Sequence, residues 1–161
     1  MTAVVLALGS NLGDRAANLQ RAVAELQAAG VAITAESSVW ETGPVPVDQP
    51  RFFNAVVCGE TNLEPESLLE LLKRIEWGMG RRPTRHWGPR VIDIDILLFG
   101  DNRFESSVLT IPHPGLAERG FVLAPLAEVV GGQLPVLGKT ANELLAEAGT
   151  EGLEKTEIRL R

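Results

Sequence analysis

Arg81-Arg-Pro-Thr-Arg-His-Trp-Gly-Pro-Arg-Val-Ile-Asp-Ile-Asp-Ile-Leu-Leu-Phe99 joins a cationic loop, bounded by glycine and proline, to a run of strand formers that carries two aspartates. Val91, Ile92, Ile94, Ile96, Leu97, Leu98 and Phe99 predict a strand buried by its own hydrophobicity. Asp93 and Asp95 interrupt it. Two apart on an extended chain, they share one face, roughly 6.5 Å apart along the strand. Ile92, Ile94 and Ile96 take the opposite face, where a core would lie. Carboxylates held this close repel each other unless a cation joins them. Hard oxygen ligands suit Mg²⁺, which fills its remaining positions with water and substrate phosphate. Arg81, Arg82, Arg85 and Arg90 lie just upstream, and the planar guanidinium fork is built to grip phosphate. Acid for a metal beside base for phosphate points to a magnesium–nucleotide site.

The 161 residues suffice for one domain with a real core. With 45% apolar and 22% charged residues, the composition is that of a globular protein. Fifteen basic against 21 acidic residues leave a net charge of −6, which argues against a general nucleic-acid or anionic-membrane binder. Cys58 stands alone, so no internal disulfide can form, and a reducing compartment fits. No apolar run has membrane-spanning length and no signal peptide is read at the N-terminus, so a cytoplasmic location is expected.

Going outward from the central stretch, Ala3 to Leu8 reads as a buried strand, and Gly9-Ser-Asn-Leu-Gly-Asp14 as a turn into a helix over about Arg15 to Ala29. That turn invites a phosphate-loop reading, but it lacks the lysine and glycine spacing. A second strand is expected from Val31 to about Trp40, followed by the proline-stiffened loop Thr42 to Pro50 and a third strand over Phe52 to Gly59. Pro65 opens a second helix with the apolar stripe Leu68, Leu71, Leu72 and Ile75. Beyond Asp93 and Asp95, Gly100-Asp-Asn102 predicts a hairpin of the fourth and fifth strands through Val108 to Ile111. Leu116 to Val130 reads as helix in pieces, broken at Gly120 and Pro125, and Thr140 with Glu143 caps a short helix to Ala148. The polar tail from Thr150 is expected to add little. This order of elements predicts an α+β sheet with helices packed on it.

His86-Trp-Gly-Pro-Arg-Val-Ile-Asp-Ile-Asp-Ile-Leu97 resembles the signature of the hydroxymethyldihydropterin pyrophosphokinases of folate biosynthesis. The likeness runs from Leu8-Gly-Ser-Asn-Leu-Gly13 through Gln49-Pro-Arg-Phe-Phe-Asn54 and Pro112-His-Pro-Gly-Leu-Ala-Glu-Arg-Gly-Phe121 to Leu126. It implies a single ferredoxin-like domain over residues 1–161, a three-layer α-β-α sandwich with a mainly antiparallel central sheet. It also implies Mg²⁺-dependent transfer of diphosphate from ATP to the pterin hydroxymethyl group, releasing AMP.

By the same resemblance, Asp93 and Asp95 would hold two Mg²⁺ ions, and Arg81, Arg90, His113 and Arg119 would contact the ATP phosphates. Trp87 would fold over the occupied site, with Ile96, Leu109 and Thr110 around the nucleotide. Asn54 would read the pterin's polar edge and Phe52 and Phe121 would sandwich the ring, while Thr42, Gly43, Pro44 and Val45 supply backbone contacts. Closure of the loops Gly43–Pro50 and Arg81–Pro89 is expected to exclude water. ATP and the pterin are the expected partners of a monomer that binds neither nucleic acid nor membrane. One departure stands out: Pro83 replaces an arginine common in the family, and His86 a basic residue, while Arg82 and Arg85 are displaced neighbours.

The same residues bear two rival readings. A nucleotidyltransferase also pairs Gly-Ser with Asp-x-Asp, but here Gly9-Ser10 is some eighty residues from Asp93. A non-catalytic module could bind single strands through the arginine loop and Trp87, which the acidic total opposes.

Overall fold

The structure is a computed structural model that describes residues 1–43, 49–83 and 88–161. Pro44, Val45, Arg85, His86 and Trp87, singled out from the sequence, lie outside the described residues. So do the middle portions of both loops expected to close.

The chain forms β1 (Thr2–Ser10), α1 (Arg15–Ala28), β2 (Ala32–Glu36), β3 (Trp40–Thr42), β4 (Phe52–Thr61), α2 (Pro65–Gly78) and β5 (Asp93–Phe99). A short hairpin of β6 (Phe104–Glu105) and β7 (Thr110–Ile111) follows, then a 3-10 turn at Leu116–Glu118, α3 (Gly120–Val129), α4 (Ala141–Ala148) and β8 (Leu153–Lys155). The main sheet runs β5-β1-β4-β3-β8, with β2 also paired to β4, and its pairings are antiparallel. Helices and an antiparallel sheet in this mixture make an α+β fold, as expected.

Period-two alternation on the central strands divides the core. Val4, Leu6 and Leu8 of β1, with Ile94 and Ile96 of β5, pack with Leu19, Val23 and Leu26 of α1 and Leu68, Leu72 and Ile75 of α2. Leu97, Leu98 and Val56 belong to a second cluster with Val122, Leu123 and Leu126 of α3 and Leu144 of α4. Between Val5 and Leu6 the β1–β5 register slips by one residue. This bulge lets the neighbours Leu97 and Leu98 both join the second cluster before Phe99 returns to the first.

Three expectations change. The strand read from Val31 to Trp40 is two strands, because Ser37 replaces the regular ladder: its N–H donates to Val56 O (2.9 Å) and its hydroxyl accepts from Val56 N (2.9 Å). Pro125 does not interrupt α3, and Gly120 opens that helix instead of breaking it. Proline removes one helical hydrogen bond, but Val122, Leu123, Ala124 and Leu126 are buried around it and offset the loss. The hairpin after Gly100 pairs β6 with β7, not β5 with a following strand.

A fourth expectation fails outright. The tail from Thr150 is structural: β8 extends the sheet at β3, Thr156 donates twice to Val39 O, and Leu160 is buried in the first core cluster. Its polar residues conceal the role because an edge strand needs only backbone pairing and an occasional apolar anchor. Among the described residues, no helix is long and apolar enough to cross a membrane. Leu160→Ala should lower unfolding free energy by about 2–4 kcal/mol, read as a shifted urea midpoint. An unchanged midpoint would mean that the tail does not dock.

Candidate active site

The sheet register assembles the site before any side chain acts. Asp93 on β5, Gly9 on β1 and Asn54 on β4 lie in one cross-strand row. A Cβ at Gly9 would meet Asn54 Oδ1 at 2.9 Å, so the floor between acid and amide admits only glycine without displacement. Leu153, Thr42 and Phe52 form the neighbouring row across β8, β3 and β4. Asn54 Nδ2 donates to Thr42 Oγ1 at 2.7 Å, which fixes the amide beside the phenylalanine.

A cavity of about 360 Å³ opens above this floor. Its walls gather Thr42, Gly43, Phe52 and Asn54 at one end, and Arg90, Asp93, Asp95, His113, Arg119 and Phe121 around the other parts. Ten of the residues singled out from the sequence thus meet in one space. Ala7, Leu8, Gly9, Leu97 and Val122 also line it; nothing in their residue type marks them as site residues. Ile96, by contrast, is turned into the core at 3% exposure, and Leu109 and Thr110 belong to the β6–β7 hairpin stretch outside the cavity wall.

Charge is distributed unevenly along β5. Asp93 is clamped, with Arg81 Nη1 at 2.9 Å on Oδ1 and Arg90 Nη1 at 3.0 Å on Oδ2. Arg81 sits behind this clamp and also meets Glu76 Oε2 at 2.8 Å. Glu76 is buried and accepts from Ile94 N at 2.8 Å, so it secures the backbone between the two aspartates. Burial pushes the Glu76 carboxyl upward, while the Ile94 N–H and the charges of Arg81 and Lys73 pull it back. Asp95 has no such clamp among the described residues. Burial first, then the negative charges of Asp93 and Glu76, push its carboxyl up to about 7, opposed by Lys73 and Arg119. A carboxylate in that condition is short of a cation.

The remaining groups are set by local hydrogen bonds. His113 Nδ1 accepts from Gly115 N at 3.0 Å, and burial, then the Arg119 charge, lower its pKa. The ring is therefore held neutral with Nε2 as its donor. Arg119 lies 5.9 Å from the Phe121 ring centroid.

Asn11, missed by the sequence reading, is fully buried: its Nδ2 donates to Gln49 Oε1 (2.8 Å) and Pro50 O (3.0 Å), and its Oδ1 accepts from Arg90 N (2.8 Å). It ties the entry of β4 to the arginine that holds Asp93. Ser10 is buried and accepts from Asn18 Nδ2 at 3.1 Å, so it is committed to α1 although Gly9 stands opposite Asp93. Arg82 is stacked 3.7 Å over Trp77 and donates to the carbonyls of Trp77 and Arg81. That arrangement spends it on the end of α2.

Asp93 and Asp95 offer hard oxygens on one face of a strand, with excess negative charge and open space before them. They fit a divalent cation that completes its shell with water and phosphate oxygens. Among the described residues no group of three or more His, Cys, Asp or Glu side chains that could hold a metal ion occurs. The raised pKa of Asp95 also makes a stability prediction. A carboxyl raised in the folded state stabilises it below the unfolded value of 3.8, and that contribution is lost as pH rises through about 7. Without divalent cations, Asp95→Asn should therefore be more stable than wild type at pH 8, by on the order of 3 kcal/mol, and the gap should close at pH 4. Mg²⁺ at pH 8 should recover stability in wild type alone. Parallel pH profiles for the two proteins would contradict the assignment.

Comparison with known proteins identifies the family. Residues 5–131 match the family model for 7,8-dihydro-6-hydroxymethylpterin-pyrophosphokinase (HPPK). The 2-amino-4-hydroxy-6-hydroxymethyldihydropteridine pyrophosphokinase of Methylorubrum extorquens is 43% identical over 98% of this chain and 100% of its own length. That of Bacillus subtilis is 51% identical over 77% of this chain and 75% of its own. The mitochondrial folate synthesis bifunctional protein of Arabidopsis thaliana is 50% identical over 80% of this chain, but this corresponds to only 23% of that longer protein. A crystal structure of Plasmodium falciparum HPPK-DHPS superposes with a TM-score of 0.77 at 17% identity, over 96% of this chain and 48% of that one, and so supports the fold. With an acid pair, an arginine clamp and an Asn/Phe pocket on one sheet, and a family model matched over most of its length, the chain belongs to the 7,8-dihydro-6-hydroxymethylpterin-pyrophosphokinase family.

Proposed function

We propose that this chain is a pyrophosphokinase that transfers the β,γ-diphosphate of ATP to the hydroxymethyl group of 6-hydroxymethyl-7,8-dihydropterin, releasing AMP. The observation that carries the reading is the single cavity in which Asp93, Asp95, Arg90, His113 and Arg119 adjoin Thr42, Phe52, Asn54 and Phe121. Its volume of about 360 Å³ falls at the lower end of the range for small-molecule sites. The finer fold assignment, a ferredoxin-like three-layer domain acting as a monomer, belongs to the same proposal.

In the reaction a new bond forms between the pterin hydroxymethyl oxygen and the β-phosphorus, and the bond from that phosphorus to the α,β-bridging oxygen breaks. The hydroxyl proton is released and AMP carries away the bridging oxygen. Phe52 and Phe121 offer aromatic faces to a flat heterocycle, and Asn54, fixed by Thr42, presents both a donor and an acceptor to its polar edge. Arg90, Arg119 and the Nε2 donor of His113 would face the phosphate chain and stabilise charge that shifts towards the leaving AMP. Arg81 stands one layer back, within reach through Asp93. Mg²⁺, when bound, would be held by Asp93 and Asp95 and would neutralise phosphate charge and lower the pKa of the hydroxyl. The walls position both substrates and limit water, which would otherwise compete as acceptor.

The rival readings find less support. Ser10 is committed to Asn18, as described, and Arg81 and Arg90 are paired with acids instead of forming an exposed cationic stripe. Incubation with ATP, Mg²⁺ and the reduced hydroxymethylpterin should yield AMP only when the pterin is present, in equal amount to diphosphorylated pterin and with no free pyrophosphate. Asp95→Ala should reduce this to background while leaving the circular dichroism spectrum unchanged. ADP or free pyrophosphate as the product would replace the reading with ordinary kinase or nucleotidyl transfer.

A further inference from the structure

The family match ends at residue 131, yet the chain beyond it packs against elements that carry cavity-lining residues. Gly149 to Lys155 runs between β3 and the start of α3. On one side β8 pairs with β3, so that Leu153 stands directly opposite Thr42, which in turn stands opposite Phe52. Cross-strand partners share a sheet face, so Leu153, Thr42 and Phe52 form one row pointing the same way. On the other side the segment meets the first turn of α3. A Cβ built on Gly120 would lie 2.6 Å from Gly149 O and 3.4 Å from Leu153 Cδ1. Gly120 is flanked by Arg119 and Phe121, both of which line the cavity.

Arg51 locks the segment in place: its Nη2 donates to Gly152 O at 3.0 Å, and its Nη1 pairs with Glu41 at 3.3 Å and Glu154 at 3.6 Å. Thr156 adds two bonds to Val39 O, at 2.9 and 2.7 Å. Held this way, Leu153 lies between the sheet row that ends in Phe52 and the helix start that carries Phe121.

We propose that Leu153, supported by the Gly149–Gly152 turn, is a positioning residue that sets the gap between Phe52 and Phe121 and so selects the thickness and placement of the ring bound there. The inference rests on the pterin reading above. Leu153 touches no substrate; it acts through Thr42 and through the start of α3. The row makes the effect one-sided. Asp93, Asp95 and Arg90 hang from β5 and the stretch before it, at the far side of β1 from β8, and are untouched by this residue.

The test is equilibrium binding by the full chain, saturated with Mg²⁺ and α,β-methylene ATP, of oxidised 6-hydroxymethylpterin, followed by its fluorescence, alongside binding of the nucleotide analogue alone. Leu153→Ala should weaken pterin binding by about tenfold and leave nucleotide affinity within twofold of wild type. Leu153→Met, which restores the volume, should recover pterin affinity. Unchanged pterin affinity in Leu153→Ala, or an equal loss of both ligands together with a lowered melting temperature, would overturn the proposal. Wild type that takes the nucleotide analogue but no pterin would instead overturn the substrate reading beneath it.

Discussion

Everything at this site depends on crowding three carboxyl groups around one strand. Asp93, Asp95 and Glu76 lie on or against β5, and burial makes their mutual repulsion expensive. The fold relieves part of it with a chain of cations and donors: Lys73 and Arg81 on Glu76, Arg81 and Arg90 on Asp93, the Ile94 N–H on Glu76. Asp95 receives no comparable relief among the described residues and is held near neutral protonation. The imbalance is directional. It leaves one carboxyl whose charged form is disfavoured by burial and by its acidic neighbours, so that a cation bound there would be coupled to its protonation and to the stability of the strand that carries it.

Such a strand must be fixed from both sides, and β1 does this. It pairs along nearly all its length with β4 and β5, so the acid pair and the Asn54/Phe52 pair are displaced from each other by whole strand spacings instead of by loop geometry. Gly9 keeps the space between them open. Asn11, two residues on, then reaches both ways to Pro50 and Arg90. A distance set by sheet register tolerates little drift, because a slip of one residue would turn Asp93 and Asp95 into the apolar core. The bulge opposite Leu97 is placed beyond the aspartates, where it alters core packing and leaves their register intact.

The amino-acid pattern made the strand, the acid pair and the basic neighbours legible, because alternation and charge are local properties. It also exposed both long helices, through their apolar stripes, and the Thr140 capping box, which forms as expected with Thr140 and Glu143 exchanging bonds. It could not reveal Glu76. A glutamate on a helix beside Lys73 reads as a surface charge, and only the packing of α2 on β5 shows that it faces the strand. Asn11 was hidden for the same reason: in a Gly-Ser-Asn-Leu-Gly turn it reads as turn chemistry, while its three side-chain partners are 38 to 79 positions away. Ile96 differs from its acidic neighbours in the way it faces. Its place beside the acids is real in sequence, but period two sends its side chain to the core.

The C-terminal residues show the limit of composition as a guide. Thr150 to Arg161 is polar and short, with few apolar residues to announce a role. Yet an edge strand draws its stability from backbone pairing and from the charges it meets, here Arg51 with Glu154 and Arg161 with Glu36. Neither requires hydrophobic patterning. A segment of this kind can therefore be placed late in the chain, vary freely on its outward side, and still determine the spacing of a pocket through a single apolar contact. The acid pair Asp93 and Asp95 needs a rigid and strongly patterned strand because buried charge must be held against its own repulsion. The ring slot needs only a wall of the right height, which a lightly marked edge strand provides.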